Sequence, residues 1–164
     1  MGSAAEKQNE RRLKVNERKW TKTLMDAGWT VIPSVILDRQ QALGLDPTDV
    51  NILLHLAKYW WEKERLPYPS KKAIAECMGV SESTVQRRIA SMEAGGIIER
   101  VYRFSGKHKG QQTNAYDFAG LIKEATPYAV EALKAREKRR KADAARRTRK
   151  GLRLVRTDED EGNE

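Results

Sequence analysis

Seven residues within about two helical turns carry the most varied polar chemistry in the chain: Ser81, Glu82, Ser83, Thr84, Gln86, Arg87 and Arg88. Their types suit recognition by hydrogen bonds better than bond-making. The short hydroxyls of Ser81 and Ser83 fit phosphates or close base edges. The Gln86 amide matches adenine, and the Arg87 guanidinium matches guanine or a phosphate. Glu82 either accepts from cytosine or repels a wrong register. Thr84 either reaches a phosphate or supports the turn. Ser81 also has the form of a helix N-cap, and a helix start there would turn free backbone N–H groups and a positive dipole end towards an anion.

Two further basic groups accompany them. Lys107, His108 and Lys109 sit between Gly106 and Gly110, with Arg103 and Gln112 on either side. Lys71 and Lys72 open the stretch preceding Ser81. Catalysis has little to work with. Gly106-Lys107 lacks the glycine spacing and the following Ser or Thr of a phosphate-binding loop. Two histidines and a single cysteine make no metal cluster and no disulfide framework. Glu62 and Glu64 lie in a linker. The chain is therefore expected to be no enzyme, to carry no cofactor or metal, and to take no small-molecule ligand. His55, on an apolar helix, reads as a packed core histidine, and Cys77 as inert. Trp20, Trp29, Trp60 and Trp61 read as packing groups.

These side chains need elements to hold them. Residues 5–20 are polar and predict a frayed or disordered arm. Trp29 to Ile32 predicts a short strand ended by Pro33, and Ser34 to Leu43 a helix stopped at Gly44. Asp46-Pro47 is a helix start, with an N-cap carboxylate followed by a proline whose missing N–H costs nothing in the first turn. That helix is expected to run to about Trp61 and to be buried on most sides. Pro67 and Pro69 bar its continuation. Ser70 then caps a helix over Lys71–Met78, Gly79 supplies a positive-φ turn, and Ser81 caps a second helix to about Ala94. Ile74, Met78, Val80, Val85 and Ile89 are spaced to face inward together, and Ala75 is small where two helices approach. After Gly95-Gly96, Ile97–Phe104 and Thr113–Phe118 predict two strands joined by the basic tip.

The pattern Pro69-Ser70, Ile74-Ala75, Gly79-Val80-Ser81, Thr84-Val85, Arg87, Ile89, Met92-Glu93 and Gly96-Ile97-Ile98 resembles the winged helix-turn-helix family. It is most similar to small bacterial regulators and to replication initiators of phage and plasmid type, over roughly residues 28–122. Thr113, Asn114, Tyr116, Phe118 and Leu121 resemble the second wing strand of the initiator-like group. The resemblance implies a mainly α fold with a small β-hairpin, an α+β winged helix-turn-helix. It implies that helix 81–94 enters the major groove and that a wing at about 104–112 lies on the backbone or in the minor groove. The candidate DNA contacts are then Lys71, Lys72, Ser81, Glu82, Ser83, Thr84, Gln86, Arg87, Arg88, Arg103, Lys107, His108, Lys109 and Gln112. Arg88 departs from the pattern, which has a small, half-buried residue there. Its stem is expected to snorkel along the core edge with the guanidinium outside.

The charge map separates this reader from the rest of the chain. The 164 residues carry a net +9, with 39% apolar and 34% charged residues, so a small core with solvated ends is expected. Asp46–Thr126 holds 12 basic against 10 acidic residues, a net of +2, whereas Lys134–Arg156 holds 12 against 2, a net of +10. Five acids follow between Thr157 and Glu164. The expected division is a polar arm over 1–27, the DNA-binding domain over 28–125, a basic helix or disordered tail over 126–156 and an acidic end over 157–164. Thr126-Pro127 predicts a new helix start, with Tyr128, Val130 and Leu133 as anchors. The tail lacks heptads and is expected to add sequence-independent grip on DNA through counterion release. The function expected is a sequence-specific double-stranded DNA binder, a transcriptional regulator of a bacterium or mobile element, cytoplasmic and associated with the nucleoid. A homodimer is compatible with it, and no membrane partner is expected. An origin-binding replication initiator and a winged helix used for protein contacts are the alternatives.

Overall fold

The computed structural model describes residues 14–103 and 113–149. Contacts divide the chain into two compact units, residues 1–125 and 126–164. In the first unit, short helices α1 (residues 14–20), α2 (Lys22–Asp26) and α3 (Ser34–Asp38) lead into the core helices α4 (Pro47–Ala57), α5 (Lys71–Met78) and α6 (Glu82–Ala94). Strands β1 (Glu99–Val101) and β2 (Ala115–Asp117) follow, and then α7 (Ala119–Arg149).

Three helix starts follow the local chemistry read in the sequence. Asp46 accepts a hydrogen bond from the Asp49 N–H at 2.8 Å, and the Asp49 carboxylate accepts from the Asp46 N–H at 3.0 Å. This reciprocal capping box satisfies two donors that the first turn would otherwise leave open. Ser70 caps α5 by accepting from the Ala73 N–H at 3.0 Å. Ser81 caps α6 by accepting from the Thr84 N–H at 3.1 Å.

The core joins α4, α5 and α6 through Ile52, Leu53, Leu56, Ile74, Val85 and Ile89, each at most 2% exposed. Ala75 is buried where α5 meets α6. Gly79 closes α5 at φ 67°, a conformation in which any Cβ is strained. The Val80 N–H then donates to the Ala75 carbonyl at 3.1 Å, which sets the tight turn into α6. Val80 itself stands exposed, contrary to the inward position its spacing predicted. The turn consumes its backbone N–H and leaves its side chain on the rim.

Asp49 is the one buried charged residue among those described, at 1% exposure. Arg88 of α6 reaches it with two donors, Nε to Oδ1 at 2.8 Å and Nη2 to Oδ2, and Nη2 also lies 2.7 Å from an Asp46 oxygen. That hydrogen bond to Asp49, strengthened by both carboxylates, raises the Arg88 pKa above its usual value despite partial burial. The expected outward guanidinium is therefore corrected. Arg88 ties the second helix of the pair to the capping box of α4.

Strands β1 and β2 pair antiparallel, with Glu99 opposite Asp117, Arg100 opposite Tyr116 and Val101 opposite Ala115. On the far side of β2, the Tyr116 N–H donates to the Pro67 carbonyl at 2.9 Å. The proline linker thus runs along the hairpin as an acceptor, a role that needs no N–H. Ile97, Ile98, Tyr116, Phe118 and Leu121 bury the inner face. The α7 start is held by an Asp117 carboxylate accepting from the Ala119 N–H at 2.7 Å and by the Leu121 N–H donating to the Ile97 carbonyl at 2.7 Å.

Several expectations change. Residues 29–32 form no strand, and among the described residues the sheet consists of β1 and β2 alone. Helix α3 ends at Asp38 and continues as turns to Gly44, and α4 ends at Ala57, short of Trp61. Trp20, Trp29 and Trp61 are exposed, so of the four tryptophans only Trp60 packs, stacked on Phe118 at 5.0 Å between ring centroids. Pro127 lies inside α7 and begins no new helix. The helix passes through it although the ring leaves the Lys123 carbonyl without its helical donor. Val130 and Leu133 are exposed. No helix of the described residues is long and apolar enough to cross a membrane.

Two tests follow from this packing. A Cβ on Gly120 would collide with the Gly96 carbonyl oxygen and lie 3.0 Å from the Ile97 carbonyl oxygen, both backbone atoms. Gly120→Ala is expected to destabilise the domain by about 1–3 kcal/mol, read as a lowered thermal midpoint. Arg88→Ala strands a buried carboxylate and is expected to cost about 3 kcal/mol in denaturant unfolding. The double variant Asp49→Asn, Arg88→Met, which removes both charges and keeps an acceptor for the Asp46 N–H, is expected to recover most of that loss.

Candidate nucleic-acid interface

The outward half of α6 is set by the three inward residues Val85, Ile89 and Met92, all buried. Ser81, Glu82, Ser83, Gln86 and Arg87 are consequently exposed, with Thr84 half-buried beside them. Ser81 Oγ lies 2.8 Å from both Ser83 Oγ and Thr84 Oγ1. Three hydroxyls thus cluster at the helix N-terminus, where the free N–H groups and the dipole favour an anion. Thr84 takes part in this cluster, so its hydroxyl supports the turn whatever else it meets.

Gln86 and Lys71 meet across the two-helix unit. Lys71 Nζ donates to Gln86 Oε1 at 3.0 Å. The amide is held with its oxygen occupied and its NH2 group still able to donate. Lys72 lies near Glu76 at 4.0 Å, an exposed pair that stabilises little. Arg87 has no ion pair or hydrogen bond among the described residues and extends from the exposed face.

A cleft of about 290 Å³ joins these parts to the hairpin. Ser70, Lys71 and Lys72 of the α5 start, Glu82 of the α6 start, and Thr113, Asn114 and Tyr116 of the returning strand line it. Thr113 and Asn114 escaped the candidate set. Their signal was present in the likeness to a wing strand, but only the fold shows that they line a cleft with the start of α6. Arg103, at the foot of the hairpin, sits over the Tyr68 ring with its guanidinium carbon 4.1 Å from the centroid. That contact pre-orders a cation beside the wing. Lys107, His108, Lys109 and Gln112 lie outside the described residues. Arg88, the remaining member of the set, is committed to Asp49 and Asp46.

The hairpin is braced to α6 by a pair that the sequence did not single out. Arg100 Nε donates to a Glu93 carboxylate oxygen at 2.7 Å, Nη2 reaches the same oxygen, and the Arg100 N–H donates to the other at 3.3 Å. Both side chains are less than a third exposed. With the guanidinium on one carboxylate oxygen and the Arg100 backbone N–H on the other, the contact fixes where β1 leaves the second helix.

The Arg100 hydrogen bonds hold the Glu93 carboxyl below its ordinary value of 4.5. A carboxyl depressed in the folded state contributes stability that is present above the unfolded pKa and lost as pH falls through the folded one. The thermal midpoint of the native chain is thus expected to exceed that of Glu93→Gln by a constant margin from pH 7 to pH 5. That margin should close below about pH 4.5. A margin independent of pH down to 3 would remove the ion pair as its cause.

Comparison with a family model agrees with the two-helix unit. Residues 43–98 match the family described as helix-turn-helix domain. No curated protein matches the chain. Among solved structures, the N-terminal domain of the DnaD protein from Geobacillus kaustophilus is 18% identical, with a TM-score of 0.49, covering 70% of this chain and 91% of that one. A possible transcriptional regulator from Methanosarcina mazei is 20% identical with a TM-score of 0.39, covering 67% and 85%. The YusO protein from Bacillus subtilis is 19% identical with a TM-score of 0.41, covering 91% and 96%. Residues 43–98 are thus similar to a helix-turn-helix domain, and within them α5 and α6 are joined by the Gly79 turn, with the β1–β2 hairpin following directly.

Proposed function

We propose that this protein is a sequence-specific binder of double-stranded DNA that acts as a transcriptional regulator. The observation that carries this reading is the outward face of α6. It shows hydroxyl, carboxylate, amide and guanidinium groups in a row, while the opposite face is buried to the last residue of its stripe. Such a helix has the dimensions and the polar edge to enter the major groove N-terminus first.

The roles divide by chemistry. Ser81, Ser83 and the α6 N-terminus take a phosphate and set register. Gln86 and Arg87 read base edges. Gln86 offers its NH2 group to an acceptor, and its amide oxygen, which accepts from Lys71, keeps a second lone pair for the two-point pairing with adenine. Lys71, Lys72, Arg103 and the tip lysines Lys107 and Lys109 supply backbone contacts, with Glu82, Thr84, His108 and Gln112 beside them. Arg88 is left out, because two carboxylates already hold it.

Selection of bound duplexes from a random library tests the reading. A recovered motif supports it, with a palindrome indicating a dimer and tandem repeats favouring origin binding. No motif, with no duplex binding at moderate salt, would leave a winged helix used for protein contacts. On the recovered site, Arg87→Ala is expected to weaken binding by about 1–3 kcal/mol and to weaken random DNA much less. Equal losses on both sequences would remove Arg87 as a base reader.

A further inference from the structure

Helix α7 runs from Ala119 to Arg149, and its side chains from residue 131 to 147 are all exposed. Its cations are not spread evenly round the axis. At 3.6 residues per turn, Arg136, Arg139, Arg140, Arg146 and Arg147 fall within about 120° of arc. Lys134, Lys138 and Lys141 fall on the opposite side. Arg136, Arg139, Arg140, Asp143, Ala144 and Arg147 line one continuous surface. Among the described residues no hydrogen bond or ion pair engages the five guanidinium groups, whereas Lys141 on the other side is paired with Glu137 at 2.7 Å.

We propose that this arginine face is a second DNA contact, seated on the phosphate backbone of a duplex and independent of its sequence. The proposal rests on the DNA-binding reading of the helix-turn-helix. Arg136 to Arg147 spans about 16 Å of helix, and a duplex presents about five phosphates per strand over that axial length. Five arginines against one internal acid, Asp143, give the face about as many cations over that length as one DNA strand has phosphates. Guanidinium is also the side chain whose fork matches phosphate oxygens two at a time.

The composition of the face selects this partner over others. Residues 134–149 contain no aromatic residue, so nothing stacks the bases of a single strand. Their only apolar residues are alanines, so the helix has no face to bury in a lipid surface. A duplex backbone requires neither. Asp143 stands three or four residues from Arg139, Arg140, Arg146 and Arg147, close enough to relieve their mutual repulsion and keep the helix formed.

The test is anisotropy of a labelled duplex of about 30 base pairs and arbitrary sequence, titrated with the full chain between about 50 and 200 mM salt. Three variants are compared: all five arginines to alanine, all five to lysine, and Lys134, Lys138 and Lys141 to alanine. Circular dichroism confirms that each keeps its helix. Alanine on the arginine face is expected to flatten the slope of log affinity against log salt by about 4. The lysine exchange should keep the slope but weaken binding several-fold, and the opposite-face variant should change the slope by less than about 1. An unchanged slope in the alanine variant overturns the proposal, as does an equal loss per charge from the opposite face. Tighter binding to a polyglutamate peptide than to the duplex overturns it in favour of a protein partner. If the native chain binds duplex and Arg87→Ala weakens it on the selected site while the arginine face is silent, this proposal fails and the helix-turn-helix reading stands. If the native chain binds no duplex, both fall.

Discussion

Asp49 brings a carboxylate to 1% exposure between α4 and α6, and the rest of the domain is arranged around making that tolerable. A buried charge without a partner is costly, and here three sources of relief converge. The Asp46 N–H donates to it, and Arg88 binds it with two donors while touching Asp46 as well. The same carboxylate therefore finishes the cap of one helix and fixes the angular position of another. Because Arg88 follows directly on Arg87 and Gln86, rotation of α6 about its axis would break this pair as well as expose the hydrophobic stripe. The direction in which the exposed face of α6 points is thus set in part by a charge on its inner edge.

The hairpin depends on α6 in the same manner. Glu93 in the last turn of the helix holds Arg100 of β1, and the linker carbonyl of Pro67 holds β2 from the other side. Gly120 lets the start of α7 lie directly on the Gly96 and Ile97 backbone. Helix, strand and following helix are locked at one corner, so the wing base and the α6 N-terminus frame a common cleft. Tyr116 is 1% exposed at that corner, and its burial raises the phenol pKa.

The two arginine populations of the chain play opposite parts. Arg88 and Arg100 have carboxylate partners and serve the fold. Arg87 and the five arginines of the α7 face have none among the described residues. A guanidinium already held by two oxygens has little left for a phosphate, while an unpaired one on an exposed helix is ready for it. This distinction, more than net charge, marks where a polyanion would bind.

Much of the domain could be read from residues close together in the chain. Asp46-Pro47, Ser70 and Ser81 announce helices because a cap bonds within three residues, and Gly79 announces a turn because φ is a property of one residue. Those signals located the two-helix unit and the outward set from Ser81 to Arg87. The failures share another cause. Nothing near Arg88 in sequence says that a carboxylate 39 residues away will take it, and its place among the candidate contacts came from the family pattern and an expected outward guanidinium. Trp29 to Ile32 had the composition of a strand but does not pair with the described sheet, and Trp60 packs where Phe118 arrives beside it. The Glu93–Arg100 brace and the Gly120 contact likewise depend on which faces meet. Local hydrogen bonding thus determined the elements from the sequence by itself, whereas packing between distant faces, which alone brings buried charges to their partners, decided which arginines hold the fold and which are left for a ligand.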